Sequence, residues 1–392
     1  MIHSCVVLGT RPEAIKLAPV IHELERRSED FRLTVCATAQ HRHLLDQVTR
    51  LFHIPIHHDL DVMRAGQKLE EVTARVLTGI SQVFRKDRPD VVIAQGDTTT
   101  TFVAGLAAFY QRIPVAHVEA GLRTQDRFAP YPEEINRRLT SHLADFHFAP
   151  TPWAQGNLLR EGIRPDTIFV TGNTVVESFL EARRRVLAAP PRIPELDGFD
   201  FDRKDRKLIL VTAHRRENFG AGIEGICRAL SRIVSLRKDV EIVFPVHPNP
   251  NVRGRVQQAL GDSPRIHLIE PLDYFPFVWL AGKACLVLTD SGGVQEEVPS
   301  LGLPVLVMRD KTERPEGVEA GVCRLVGTAA EVIEREVIAV LEKSDRDPQS
   351  SPLPNPFGDG HAAERIVEHL ARLLGSAEGS QARPNEEEGK TG

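Results

Sequence analysis

The chain has 392 residues, long for one hydrophobic core and about right for two domains of roughly 100 to 200 residues each. Hydrophobic residues at 41% and charged residues at 26% exclude both a disordered chain and a membrane protein. A net charge of -5, from 49 basic and 54 acidic residues, excludes the strongly basic field that nucleic-acid binding needs. Most of the basic residues are Arg, so only an Arg inside a motif counts toward an anion site. The five cysteines, Cys5, Cys36, Cys227, Cys285 and Cys323, are widely spaced and mostly set among aliphatic residues, with no CxxC or Cys/His zinc spacing. That pattern predicts reduced thiols in cores, no metal site and a cytoplasmic protein. The N-terminal MIHSCVVLG lacks the basic region and apolar length of a signal peptide, and no run approaches ~18 apolar residues.

Short apolar runs alternate with amphipathic stretches along the chain, which predicts an α/β fold of parallel strands covered by helices. In the first half the strand-like runs are Cys5 to Leu8, Leu33 to Ala37, Val91 to Ala94, Val115 to Val118, Phe146 to Ala149 and Ile168 to Val170. Pro12 suits a first helical turn, and Ala14, Leu17, Ala18, Ile21 and Leu24 then mark one apolar face. Leu69, Val72, Val76, Ile80 and Val83 mark another. The stretch from Ala188 to Arg206, rich in prolines and charges, breaks the rhythm as an interdomain linker or a large loop would. A second series of strands follows at Leu208 to Thr212, Glu241 to Val246, Ile266 to Ile269, Cys285 to Thr289 and Pro304 to Val307. Two such series predict two Rossmann-like domains facing a central cleft, 1–172 and 173–360. A last amphipathic helix, 361–375, follows, and then an acidic low-complexity tail, 376–392, expected to be disordered.

In α/β sheets ligands bind beyond the carboxyl ends of the strands, so the polar residues there carry the functional argument. The first run ends in Gly9-Thr10-Arg11-Pro12-Glu13, with Lys16 one turn into the helix. The others end in Gln95-Gly96-Asp97, His117-Val118-Glu119, His214-Arg215-Arg216-Glu217, Pro245-Val246-His247 and Asp290-Ser291-Gly292-Gly293; Glu133 and Glu134 open another helix. Asp97, Glu119 and Glu133 are three carboxylates able to converge, and partly desolvated carboxylates are what proton transfer at carbon requires. The structural alternatives are that Asp97 caps the helix beginning at Thr98 and that Glu133 only favours a helix N-terminus. Ser291 and Gly292 fit a turn that brings backbone N–H groups to a phosphate, and equally a turn that caps a helix. His214 and His247 fit ligand contacts, and equally satisfied polar positions in a core. No GxxxxGK[ST] and no GxGxxG occurs, so neither ATP hydrolysis nor a standard dinucleotide site has its usual support.

Together these motifs resemble the non-hydrolysing UDP-N-acetylglucosamine 2-epimerases. The resemblance adds Thr38 to Arg42, Gly172-Asn173-Thr174, Pro245 to Val252 and Arg309 to Pro315, and it covers roughly residues 1–372 in order. It implies a GT-B-like fold, two Rossmann-like domains with the terminal helix crossing back to the first. It implies interconversion of UDP-GlcNAc and UDP-ManNAc without a cofactor, by loss of UDP to a 2-acetamidoglucal and re-addition, for cell-surface polysaccharide synthesis. By the same resemblance Asp97, Glu119, Glu133 and His214 fall on catalytic positions. Arg11, Lys16, Phe277, Ser291, Gly292, Glu297 and Arg314 fall on substrate positions, Phe277 against uracil and Glu297 on the ribose. Gln40, His41, Arg215 and His247 match parts of a second UDP-GlcNAc site that activates some members, although His43 and Gly66 replace a Gln and an Arg of that site. Leu272 stands where close relatives carry Gln. The partner implied is a UDP-N-acetyl sugar, with neither nucleic acid nor membrane, and the assembly a homodimer. A glycosyltransferase of the same fold and a non-catalytic UDP-sugar sensor are the rival readings.

Overall fold

A computed structural model describes residues 1–38, 42–64, 66–203, 205–215, 218–346 and 353–378. The described residues form two compact units, one from Met1–Thr174 together with the segment from His361 to Glu378, the other within Val175–Gly360. The first unit runs β1 (Ile2–Leu8), α1 (Arg11–Arg26), β2 (Phe31–Ala37), α2 (Arg42–Leu51), β3 (His58–Asp59), α3 (Leu69–Lys86) and β4 (Val91–Gln95). It continues through α4 (Thr99–Tyr110), β5 (Val115–Val118), α5 (Glu133–Leu143), β6 (Phe146–Ala149), α6 (Pro152–Arg160) and β7 (Ile168–Val170). After α7 (Thr174–Ala188), the second unit runs β8 (Lys207–Thr212), α8 (Ala221–Leu236), β9 (Val240–Pro245), α9 (Pro250–Leu260), β10 (Ile266–Ile269), α10 (Tyr274–Lys283) and β11 (Leu286–Thr289). It ends with α11 (Gly292–Glu297), β12 (Val305–Val307), α12 (Pro315–Glu319), β13 (Cys323–Leu325) and α13 (Ala330–Arg346). The closing helix α14 (Ala362–Glu378) belongs to the first unit, where it packs on α1 and Arg365 Nη1 donates to Thr171 O at 3.0 Å.

Both sheets are parallel, with strand order β3-β2-β1-β4-β5-β6-β7 in the first unit and β10-β9-β8-β11-β12-β13 in the second. Strands buried on both faces read as continuous apolar runs, which is why β1, β4, β5, β8 and β11 were legible in the sequence. Each sheet grows outward from one side of its first strand and then resumes on the other. The strand order therefore reverses between β1 and β4 and between β8 and β11, and at such a switch the loops part and leave room for a ligand. Helices cover the sheets through cores that include Val72, Val76, Ile80 and Phe84 in the first unit and Ile226, Leu230, Ile233 and Ile333 in the second.

Two strands escaped the sequence reading, β3 and β13, because two or three residues make too short a run to show a period. The described residues of the Ala188 to Arg206 stretch lie in the second unit, where Ile193 and Leu196 are buried and Phe201 meets Trp279 edge-on at 4.6 Å. Disorder was expected from Ser376, but α14 continues through Glu378, because Ser, Ala and Glu add to a helix already nucleated by packing. The rest of the tail lies outside the described residues. Among the described residues no helix is long and apolar enough to cross a membrane.

Candidate functional site

In the first unit the polar residues gather at the β1/β4 switch. Glu119 follows β5 directly with φ +64°, a left-handed conformation that costs a non-glycine residue energy and persists only where the surroundings impose it. They do so at three points. Ala120 N–H donates to Phe148 O at 3.0 Å, Asn157 Nδ2 donates to Gly121 O at 2.9 Å, and buried Arg123 grips Glu161 through Nε (2.8 Å) and Nη2 (2.7 Å). The Glu119 carboxylate is then turned inward and buried, where it accepts from Lys16 Nζ, Gln95 Nε2 and, at 2.8 Å, Asn173 Nδ2. Three donors from three separate segments fix its orientation.

Asp97 sits across Gly96 from this cluster. Its Oδ2 accepts from Arg137 Nη2 at 2.5 Å, and its backbone oxygen accepts from Asn136 Nδ2 at 3.0 Å. It does not cap α4: Thr98 does, its Oγ1 accepting from Thr101 N–H at 3.1 Å. Glu133 is the first residue of α5, one helical turn before Arg137, and its buried Oε2 has no hydrogen-bond partner among the described residues. Its neighbour Glu134 is instead consumed by structure, accepting from Thr124 N–H and Arg138 Nε at 3.0 Å each. Beneath these groups Glu13 ties the strand ends together, accepting from Gly9 N–H (3.1 Å), Thr98 Oγ1 (2.7 Å) and Thr101 Oγ1 (3.1 Å). Burial pushes its carboxyl above the usual range against the lowering effect of those bonds. His117, fully buried with Nε2 on Gly96 O at 2.7 Å, is driven down to about 3, mainly by burial, and is neutral.

In the second unit Asp290 is the hub of the β8/β11 switch. It has no solvent exposure and accepts from the backbone N–H of His214 (3.0 and 3.1 Å) and Arg215 (2.9 Å) and from Asn218 Nδ2 (3.0 Å). His214 Nδ1 lies 3.2 Å from its Oδ1, and the His214 ring stacks over His247 at 6.4 Å. Burial holds His214 below its ordinary value, with Asp290 opposing and Arg215 and His247 adding to the depression. A neutral imidazole at pH 7 follows.

Ser291 precedes α11, but its side chain does not cap that helix, which leaves the hydroxyl uncommitted to the purely structural role. Gly292 faces Arg314, and a Cβ there would lie 2.6 Å from Nη1. Arg314 is itself pinned, its Nε on Glu296 and its Nη1 on Glu313 at 2.6 Å each. Glu313 also receives Arg309 Nη1 at 2.8 Å and Arg215 Nη2 at 3.4 Å. Burial would raise Glu313, yet Arg314, Arg309 and Arg215 together bring it down to about 2. The guanidinium groups of Arg314, Arg309 and Arg215 gather around Glu313 in a partly buried setting, a basic cluster suited to an anion. Glu297 is buried and accepts from Tyr274 OH at 3.1 Å, while half-buried Phe277 lies on α10.

A profile of the UDP-N-acetylglucosamine 2-epimerase family matches residues 22–371. The chain belongs to that family. The UDP-N-acetylglucosamine 2-epimerase of Escherichia coli K12 is 53% identical over 93% of this chain and 97% of its own, and that of Bacillus subtilis 50% over 93% of each. The crystal structure of the Neisseria meningitidis UDP-GlcNAc 2-epimerase bound to UDP-GlcNAc superposes with a TM-score of 0.86 at 46% identity, over 94% of this chain and all of the other. As in these epimerases, the fold is GT-B-like.

Within this epimerase family member, the sequence-predicted residues fall at strand ends and helix starts of their respective units. Lys16 and Glu119 are in direct contact; Asp97 pairs with Arg137, which also lies 3.6 Å from Glu134, while Glu133 opens the same helix; His214 joins Asp290. Arg11 opens α1, half-exposed, with no hydrogen bond or ion pair to a described residue. Gln40 and His41 lie outside the described residues, whereas Arg215 and His247 flank His214. The sequence reading assigned no role to Arg137, Glu13, Gln95 or Asn173. Arg137 had a signal, its i, i+4 spacing from Glu133 on a helix, which was lost among many arginines.

Proposed function

We propose that the protein interconverts UDP-GlcNAc and UDP-ManNAc by epimerisation at C2, with no added cofactor. The observation that carries this reading is the Glu119 carboxylate, held in a left-handed turn by Lys16, Gln95 and Asn173 beside the Asp97–Arg137 pair. A protein that merely bound a nucleotide sugar would gain nothing from a buried carboxylate held in one orientation by three donors. The family relatives, and the bound UDP-GlcNAc in the Neisseria enzyme, support the substrate.

The C2 proton is not adjacent to a carbonyl, so its direct removal would be slow. Elimination avoids the difficulty. The C1–O bond breaks with its electron pair passing to UDP, a carboxylate takes the C2 proton, and a C1=C2 double bond forms in 2-acetamidoglucal. UDP then re-adds at C1 while a proton reaches C2 on the opposite face. Asp97, Glu119 and Glu133 supply the proton-transfer groups and His214, neutral at pH 7, a hydrogen-bonding group to the departing phosphate. Arg11, Lys16, Ser291, Gly292 and Arg314 hold the phosphates and sugar, Glu297 the ribose and Phe277 the uracil. Gln40, His41, Arg215 and His247 remain the candidate activator site, in a cytoplasmic homodimer that supplies a polysaccharide precursor.

Incubation with UDP-GlcNAc alone, followed by NMR of the sugar protons, tests the reading. Epimerisation is expected. Binding without any change of the sugar would identify a sensor, and turnover only on addition of an acceptor a glycosyltransferase; either overturns the proposal.

A further inference from the structure

Gln95 and Asn173 both place a side-chain amide in the interior, 3% and 2% exposed, where an amide without a partner is costly. Both direct their NH2 groups to one carboxylate. Gln95, the last residue of β4, donates to Glu119 Oε2; Asn173, in the loop after β7, donates to Oε1 at 2.8 Å. The Asn173 loop is itself tied down, with Thr171 N–H on Ala149 O at 3.0 Å and Arg365 of α14 on Thr171 O at 3.0 Å. Among the charged and titratable groups facing Glu119 are Lys16 from α1 and His117 on its own strand, and His117 is neutral. The two amides carry no charge. They act on Glu119 only through geometry and through preferential bonding to its ionised form.

We propose that Gln95 and Asn173 are positioning residues that fix the orientation of the Glu119 carboxylate and set the pH at which it exchanges its proton. The proposal rests on the reading of Glu119 as a proton-transfer group. With both donors present the ionised carboxylate is favoured and its two oxygens are distinguished, Oε2 by Gln95 and Oε1 by Asn173. Without one donor the anion is destabilised and the side chain gains a torsional freedom that spoils the approach to C2.

The test uses Gln95→Met and Asn173→Leu, which keep approximate shape and remove the donor. Profiles of kcat/KM against pH are measured with UDP-GlcNAc and with UDP-ManNAc. The equilibrium between the two sugars does not depend on pH, so the two profiles share one shape, to which Glu119 contributes one limb, acid if it reacts ionised and alkaline if it reacts protonated. That limb moves to higher pH by about one unit in each variant, since each removes one hydrogen bond to the charged form. KM changes less than about threefold, while kcat near the wild-type optimum falls about 10- to 100-fold. The carboxyl carbon of Glu119, followed by NMR in the full-length protein, titrates with the same upward shift, which reports the effect independently of turnover. The variants lie on different segments, so a folding defect in one leaves the other informative. Limbs and carboxyl titration unmoved in a folded variant would overturn the positioning role. Glu119→Gln separates the two layers. Near-normal turnover there would remove Glu119 itself from the chemistry, and inactivity of Glu119→Gln with unshifted Gln95→Met and Asn173→Leu profiles would leave Glu119 catalytic and the amides merely structural.

Discussion

Gly121→Ala tests whether the turn that presents Glu119 is held from outside or only by its own backbone. Gly121 has φ +92°, and a Cβ there would meet Ala154 O at 2.2 Å, Ala154 C at 2.8 Å and Leu158 Cγ at 3.0 Å. A left-handed backbone costs a residue with a Cβ about 1–2 kcal/mol. Contact with a backbone carbonyl, which no rotamer change relieves, adds about 1–3 kcal/mol of overpacking. Gly162 supplies the comparison in the same unit, because it has φ +82° with nothing within 4 Å of a Cβ, so Gly162→Ala bears only the conformational term. At about 2–4 °C per kcal/mol for a body of this size, Gly121→Ala should melt roughly 4–20 °C lower than wild type and Gly162→Ala about 2–8 °C lower. Calorimetry of both full-length variants reads the difference. Because Glu119 lies two residues from the displaced point, Gly121→Ala should also lose activity that Gly162→Ala keeps. Equal melting shifts, with full activity in Gly121→Ala, would refute the claim that α6 braces this turn.

Asp97→Asn, Glu119→Gln and Glu133→Gln should each retain the fold and lose about 10²- to 10⁴-fold in kcat, and near-normal turnover in any one would strike it from the mechanism. Gly292→Ala should displace Arg314 from between Glu296 and Glu313 and weaken UDP binding about 10-fold or more by calorimetry, with unchanged affinity showing that Arg314 does not serve the nucleotide. Acid stability carries two separate contributions. His117 is ordinarily protonated below 6.5 when unfolded but stays neutral to about 3 when folded, so stability present above pH 6.5 falls as pH drops toward 3, by up to roughly 4–5 kcal/mol. Glu313, lowered from 4.5 to about 2, contributes above pH 4.5 and loses about 3 kcal/mol as pH falls from 4.5 to 2. Denaturant melts across pH should show His117→Gln flattening the first window only; an unchanged slope there would contradict the neutral assignment.

The α/β class and the strands flanking each switch point were readable because a strand buried on both faces must be apolar throughout, and a ligand site must then begin where the apolar run stops. That logic singled out Asp97, Glu119, His214 and Asp290-Ser291-Gly292 as candidates from their positions alone. Pairing was not readable. Nothing in the local sequence ties Asn173 to Glu119, 54 residues earlier, or Arg137 to Asp97, 40 residues earlier, since those contacts arise only when the parallel sheet places β4, β5 and β7 in order. The same separation hid what lies against Gly292: the side chain that a Cβ would have to displace comes from Arg314. Asp290 read as part of a phosphate-binding turn, whereas its carboxylate is spent on the His214–Arg215 backbone and orients the histidine rather than a ligand.

The central claim, epimerisation by elimination and re-addition through solvent-exchanging carboxylates, is tested most directly by turnover of UDP-GlcNAc in D2O without added NAD. The account predicts UDP-ManNAc with deuterium at C2, close to one atom per molecule, and traces of free UDP with 2-acetamidoglucal, because the intermediate is not covalently held. A hydride-transfer route would return the original hydrogen to C2. Epimerised product free of deuterium would contradict the mechanism and the roles of Asp97, Glu119 and Glu133 built upon it.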